Sequence, residues 1–169
     1  MKELVLGGAR SGKSHYAEKQ AGVANDVIYI ATAQAFDKEM NKRIALHKNE
    51  RPSQWRTIEE PIYLAHAIQK NATEQSVILV DCLTLWLSNL LCLDDESLFD
   101  KQKHALLNCI VSLPGRLIMV SNEVGQGIIP DNALARRFVD EAGWLHQALA
   151  VTCDRVTFVT AGIPQQLKP

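Results

Sequence analysis

Residues 7 to 14 read Gly-Gly-Ala-Arg-Ser-Gly-Lys-Ser, set between the apolar run Leu4-Val5-Leu6 and a stretch of helical character from Ser14 to Ala24. A G-x-x-x-x-G-K-[ST] octapeptide between a strand and a helix is a phosphate-cradling P-loop, and it commits this part of the chain to a strand–loop–helix unit. Gly7 and Gly12 permit backbone angles closed to other residues. The N–H groups of Gly7, Gly8, Ala9, Arg10, Ser11, Gly12, Lys13 and Ser14 can therefore turn inward on an anion. Lys13 is placed to reach β- and γ-phosphates, and Ser14 to set its hydroxyl on Mg²⁺. The helix that starts there adds its positive dipole end. A glycine-rich turn with an incidental lysine is the bland alternative, and the flanking strand and helix weigh against it. The expected ligand is a nucleoside triphosphate.

Short β-branched runs recur at Glu3–Leu6, Val27–Ala31, Val77–Asp81, Leu117–Ser121 and Val156–Thr160, with a weaker one at Trp55–Ile58. Helical patterns fall between them, at 14–24, 36–51, 61–71, 83–92, 97–112 and 132–150. Near-continuous apolar strands separated by amphipathic helices indicate a mostly parallel sheet with helices on both faces. Pro52, Pro61, Pro114 and Pro130 mark the boundaries, since proline continues neither a helix interior nor a central strand. With no repeat, low-complexity tract or linker, residues 1–169 read as one doubly wound α/β domain.

The net charge of −1 lacks the basic footprint of a nucleic-acid binder. No apolar run approaches the ~20 residues that span a bilayer. A strand beginning within the first few residues leaves no room for a signal peptide, so the expected compartment is the cytoplasm. Cys82, Cys92, Cys109 and Cys153 form no C-x-x-C pair and have no histidine at zinc-ligand spacing. Cys92 and Cys109 read as small buried hydrophobes, while Cys82 and Cys153 lie nearer strand ends.

In open α/β sheets, ligands bind beyond the carboxyl ends of the strands. Asp81 closes the run Val77-Ile78-Leu79-Val80 in the position of a Mg²⁺-holding Walker-B acid; its alternative is to cap the helix starting near Leu83. The run 117–121 delivers Asn122-Glu123-Val124-Gly125-Gln126-Gly127 to the same edge. Two glycines beside an amide and a carboxylate suggest a loop shaped for close approach, with Glu123 binding Mg²⁺ or orienting an attacking hydroxyl. A solvated turn is the bland reading.

His47 continues the stripe Phe36, Met40, Ile44 on an expected helix, among Lys42, Arg43, Lys48 and Arg51. Neighbouring cations favour neutral imidazole, which is its nucleophilic form, and gather phosphate oxygens. A satisfied core histidine is the alternative. His15, His66, His104 and His146 read as ordinary helix residues, with Trp144 beside the last of them packed inward. Asp140–Gly143 formally spells D-x-x-G but follows no strand.

Nearly the whole chain resembles one family. The resemblance runs through the P-loop, Tyr29-Ile30-Ala31-Thr32-Ala33-Gln34, Arg43-Ile44-Ala45-Leu46-His47-Lys48-Asn49-Glu50-Arg51-Pro52 and Trp55-Arg56-Thr57-Ile58-Glu59. It continues through Val80-Asp81-Cys82-Leu83-Thr84, Leu85-Trp86-Leu87-Ser88-Asn89-Leu90, Asn122-Glu123-Val124-Gly125, Ile129-Pro130-Asp131-Asn132 and Leu134-Ala135-Arg136-Arg137. The sequence is similar to the bifunctional adenosylcobinamide kinase / adenosylcobinamide-phosphate guanylyltransferases of cobalamin synthesis.

The resemblance implies phosphorylation of the aminopropanol hydroxyl of adenosylcobinamide by ATP or GTP, then transfer of GMP from GTP to that phosphate. The family's guanylylated histidine matches His47. Its nucleotide contacts fall on Gly7 to Ser14, Gln34, Ala35, Phe36, Lys48, Asn49, Glu50, Arg51, Glu59 and Asp81, with Ser14 and Asp81 on Mg²⁺. The implied fold is a RecA-like P-loop NTPase and the implied assembly a homotrimer. Two other readings stay open: a P-loop small-molecule kinase in which His47 is structural, and a GTPase-like switch. The switch lacks an N-K-x-D motif, since Asn41-Lys42-Arg43-Ile44 fails at its last position.

Overall fold

The structure, a computed structural model, describes residues 1–34 and 52–169. The helix expected over 36–51, and with it Ala35, Phe36, His47, Lys48, Asn49, Glu50 and Arg51, lies outside the described residues. Among the described residues there are seven strands: β1 (Lys2–Gly7), β2 (Val27–Ala31), β3 (Arg56–Glu59), β4 (Val77–Asp81), β5 (Arg116–Asn122), β6 (Arg155–Thr160) and β7 (Ile163–Lys168). Five helices are described: α1 (Lys13–Ala21), α2 (Leu64–Asn71), α3 (Leu83–Cys92), α4 (Glu96–Val111) and α5 (Ala133–Thr152).

The strands form one sheet in the order β3-β2-β4-β5-β1-β6-β7, parallel throughout except for the antiparallel β6–β7 pair. β1 is therefore central, and β5 separates it from β4. Alternation along the strands sends side chains to two cores. Leu4, Ile78, Leu117 and Met119 point to the larger one, which packs against α2, α3, α4 and α5 around the fully buried Trp86. Val5, Leu79, Ile118 and Val120 point to the smaller one, covered by Ala17 and Ala21 of α1 and closed by the stacked Tyr29 and Trp55 rings. Truncating a buried leucine in either core costs about 2–5 kcal/mol.

The helix ends follow local chemistry. Asp95 and Asn132 cap α4 and α5 by accepting the Leu98 and Ala135 N–H groups. α2 begins at Leu64 rather than at Pro61 because the Glu60 carboxylate takes the Ile62 and Tyr63 N–H groups and holds the preceding turn. α1 stops at Gly22, short of the expected Ala24.

One strand is unforeseen and two expectations need correction. β7 carries no apolar alternation, yet a two-residue turn with positive φ at Ala161 and Gly162 folds it onto β6. Left-handed angles at both turn positions match the right-handed strand twist and specify a tight hairpin. Cys92 is exposed because it falls at the last position of α3, on its open side. Trp144 is also exposed; the buried stripe of α5 runs through Ala142, Leu145, His146 and Leu149 instead.

Candidate functional site

β1 ends at Gly7, and the chain turns through residues 8–12 into α1. Gly12 sits at the N-cap with φ of 92°, a left-handed angle that glycine adopts without strain. Gly7 matters for a different reason than expected: it lies in a strand without positive φ. A Cβ there would come within 2.5 Å of both Ser11 Oγ and the Val159 carbonyl. The constraint at Gly7 is therefore space, imposed by β6 and by the loop folding back on itself. The hairpin turn braces the loop from the same side, for Gly162 N–H donates to the Ser11 carbonyl at 2.8 Å.

Lys13 is buried, and its Nζ donates to the Gly8 carbonyl at 3.0 Å, so its ammonium lies across the hollow of its own loop. Burial lowers its pKa, opposed by Cys82 and Asp81. Such a cation is better compensated by an anion than by water it cannot reach. Ser14 follows, half-buried, in the first turn of α1; Ala9 and Arg10 are exposed at the loop tip.

Asp81 ends β4 on the same side of the sheet as α1. It does not cap α3, whose N-cap is Cys82 and which has no side-chain cap. Instead Tyr29 Oη donates to Asp81 Oδ2 at 2.6 Å, fixing one carboxylate oxygen from the neighbouring strand. Thr32 ties the next residue down: its Oγ1 accepts the Cys82 N–H at 2.9 Å and donates to the Cys82 carbonyl at 2.7 Å. Asn89 of α3 donates to the Thr32 and Pro61 carbonyls, joining α3 to the segments that follow β2 and β3. Burial, with Asp81 adding to it, pushes the Cys82 thiol up to about 11, so it is no nucleophile at neutral pH.

Between these two groups stands the end of β5. Asn122 pairs in register with Gly7, and the Glu123 N–H donates to the Gly7 carbonyl at 3.0 Å. The Asn122 amide donates to Thr84 Oγ1 at 3.0 Å, linking β5 to the start of α3. The Gly125 N–H donates to Glu123 Oε1 at 2.5 Å, and a Cβ on Gly125 would lie 3.1 Å from that oxygen. The 122–127 segment is thus an ordered carboxylate-holding turn at its start and open at Gly127.

The sheet therefore gathers Gly7 to Ser14, Asp81, Asn122 and Glu123 on one edge. Glu59 lies on the same carboxyl edge, level with Asp81 through Ala31, but at the exposed end of the edge strand β3, with three strands between it and β1. Gln34 lies just past the end of β2, half-buried. The contacts that Tyr29, Thr32 and Thr84 make at the site were not foreseen in the sequence, and His146 is no ordinary helix residue. The His146 imidazole is buried between Ser121 Oγ, 2.7 Å from its Nε2, and Glu123 Oε2, 3.9 Å from its Nδ1. Its signal was present in the i, i+3, i+4, i+7 spacing of residues 142, 145, 146 and 149.

Among the described residues no cluster of three or more His, Cys, Asp or Glu side chains could cage a metal. One fixed carboxylate and one serine hydroxyl beside a phosphate cradle suit Mg²⁺ instead, which takes one or two protein oxygens plus substrate phosphates.

Solved structures share the fold. A type III secretion ATPase matches 94% of this chain and 51% of its own with a TM-score of 0.56 at 10% identity. A Pyrococcus horikoshii protein, PH0250, matches 99% and 85% with a TM-score of 0.57 at 9% identity. Among sequences, the bifunctional adenosylcobalamin biosynthesis protein CobP of Pseudomonas aeruginosa is 56% identical over 99% of this chain and 98% of its own. The corresponding CobU proteins of Salmonella typhimurium and Escherichia coli are each 40% identical over 98% of both chains. The model of the family described as cobinamide kinase / cobinamide phosphate guanyltransferase matches residues 3–167, and the chain belongs to that family.

Proposed function

We propose that one phosphate cradle in this chain serves two successive reactions on adenosylcobinamide: phosphorylation of its aminopropanol hydroxyl, then transfer of GMP from GTP to the new phosphate through a guanylyl-His47 intermediate. The observation that carries this reading is the buried Lys13 ammonium lying across its own loop, next to Asp81, in a chain of this family.

In the kinase step the substrate oxygen attacks the γ-phosphorus, and the bond to the bridging oxygen breaks as the nucleoside diphosphate leaves with the electron pair. Loop N–H groups and Lys13 stabilise the charge that builds on the departing phosphates. In the transferase step a neutral His47 nitrogen attacks the α-phosphorus and pyrophosphate departs. The cobinamide phosphate oxygen then displaces imidazole by breaking the P–N bond. Splitting one displacement into two gives each a good leaving group. Lys48 and Arg51, close to His47 in sequence, supply cations to hold the α-phosphate in line. Gln34, Ala35, Phe36, Asn49, Glu50 and Glu59 are proposed to complete the nucleotide contacts. Ser14 and Asp81 would hold Mg²⁺, which supplies charge neutralisation to the phosphates.

GTP labelled at the α-phosphate should leave an acid-labile, alkali-stable adduct on the denatured protein, and His47→Ala should abolish it. Labelling of that variant to the parent level would remove the histidine intermediate and leave the kinase reading. We also propose a homotrimer and a cytoplasmic location. Exposed Ile128, Ile129, Leu134 and Trp144 support association, and among the described residues no helix is long and apolar enough to cross a membrane.

A further inference from the structure

Three carboxylates stand at strand ends, and the sheet order separates them. With strands spaced ~4.8 Å apart, Glu123 just past β5 is one strand from the P-loop strand, Asp81 two strands (~10 Å) and Glu59 four (~19 Å). Asp81 already has one oxygen bound by Tyr29 and lies on the α1 side of the sheet. Glu123 emerges from the strand between the P-loop and Asp81, with its backbone bonded to Gly7. Its Oε1 is taken by the Gly125 N–H, and Oε2 faces His146.

His146 is otherwise an unexplained buried imidazole in the stripe of α5 that packs on the sheet. The Nδ1 edge of the ring faces Glu123 Oε2 at 3.9 Å, too long for a hydrogen bond but close enough for the carboxylate charge to favour the ring proton on Nδ1. Nε2 is then an acceptor, and the Ser121 hydroxyl donates to it across 2.7 Å. Ser121 is itself fully buried, so the trio is not a nucleophilic serine site; the Glu123 carboxylate, 21% exposed, is the member that reaches solvent. The order Ser121, His146, Glu123 holds a carboxylate oxygen from behind, at the edge where a phosphoryl acceptor must approach.

We propose that Glu123 is the base that accepts the proton of the cobinamide hydroxyl during phosphoryl transfer, and that His146, fixed by Ser121, is its positioning residue. The inference rests on the kinase half of the function proposed above. As the new O–P bond forms, the hydroxyl proton passes to Glu123 Oε2 and from there to solvent.

Transfer of γ-labelled phosphate to cobinamide, measured beside guanylyl-enzyme formation from α-labelled GTP, tests both parts. Glu123→Gln should lower kcat of phosphoryl transfer about 100-fold, the usual range for a lost general base, with KM for nucleotide changed less than about threefold. His146→Leu should lower the same kcat about 10-fold, as expected when a catalytic group loses its geometry. His146→Asn, whose amide reaches the Nδ1 position, should recover most of that loss, whereas His146→Gln, which reaches only the Nε2 position, should not. The Glu123→Gln, His146→Leu double variant should be no slower than Glu123→Gln. Wild-type turnover in Glu123→Gln overturns the base. Additive losses, or rescue by Gln instead of Asn, overturn the positioning role. Should His146→Leu prevent folding, the Asn and Gln pair decides the question alone. Failure of the parent enzyme to phosphorylate cobinamide at all would instead sink the function on which the inference rests.

Discussion

A single side chain decides much at this site because the groups around it are already committed. Asp81 is held by Tyr29, Thr84 by Asn122, and Glu123 by its own Gly125 N–H. His146 is the one buried imidazole among the described residues, and burial lowers its pKa from 6.5 against the opposing pull of Glu123. The folded protein thus resists protonation at a pH where the unfolded chain accepts it. Stability should therefore be level above about pH 6.5 and fall as pH drops below it, through the window between the unfolded and folded values. Urea unfolding of the parent and of His146→Asn at pH 7.5 and 5.5 checks this: the parent should lose more stability on acidification than the variant. Equal losses would place the acid sensitivity elsewhere. The P-loop residues were legible in sequence because their pattern is local. His146 and Tyr29 were not, since each acts on a partner 23 or more positions away that only the sheet brings near.

At the scale of elements, the β6–β7 hairpin does more than finish the sheet. Its Gly162 N–H bonds to Ser11, and its Cα would stand 3.1 Å from a Cβ on Gly12. Gly12→Ala should therefore cost about 1–2 kcal/mol from the left-handed angle alone, read by urea denaturation. Gly8→Ala, where nothing lies within 4 Å of the new Cβ, should stay within about 0.5 kcal/mol of the parent. Equal costs at both positions would mean the loop is not braced as described. Strands β1, β2, β4, β5 and β6 were readable because burial on both faces writes itself as unbroken apolar runs. β7 was not, because an exposed edge strand needs only backbone pairing: its Ile-Pro-Gln-Gln-Leu-Lys stretch has no period to detect. The Ala161-Gly162 turn was the available clue.

For the whole molecule, the parallel α/β class follows from alternating strand and helix patterns, whereas the strand order does not. That order places β5 between the P-loop strand and the Asp81 strand, and so brings Asn122 and Glu123 between the two groups to which the proposed function assigns the phosphates and Mg²⁺. It also leaves Glu59 at the far edge. In the function proposed here, one cradle with one buried lysine serves both the γ- and the α-phosphate chemistry. The direct test is Lys13→Ala assayed in both half-reactions: γ-label transferred to cobinamide and α-label captured on the protein. Losing a buried charge-assisted phosphate contact should lower both rates by a comparable factor, about 100-fold or more. Retention of either half-reaction near the parent rate, while the other collapses, would contradict a shared cradle.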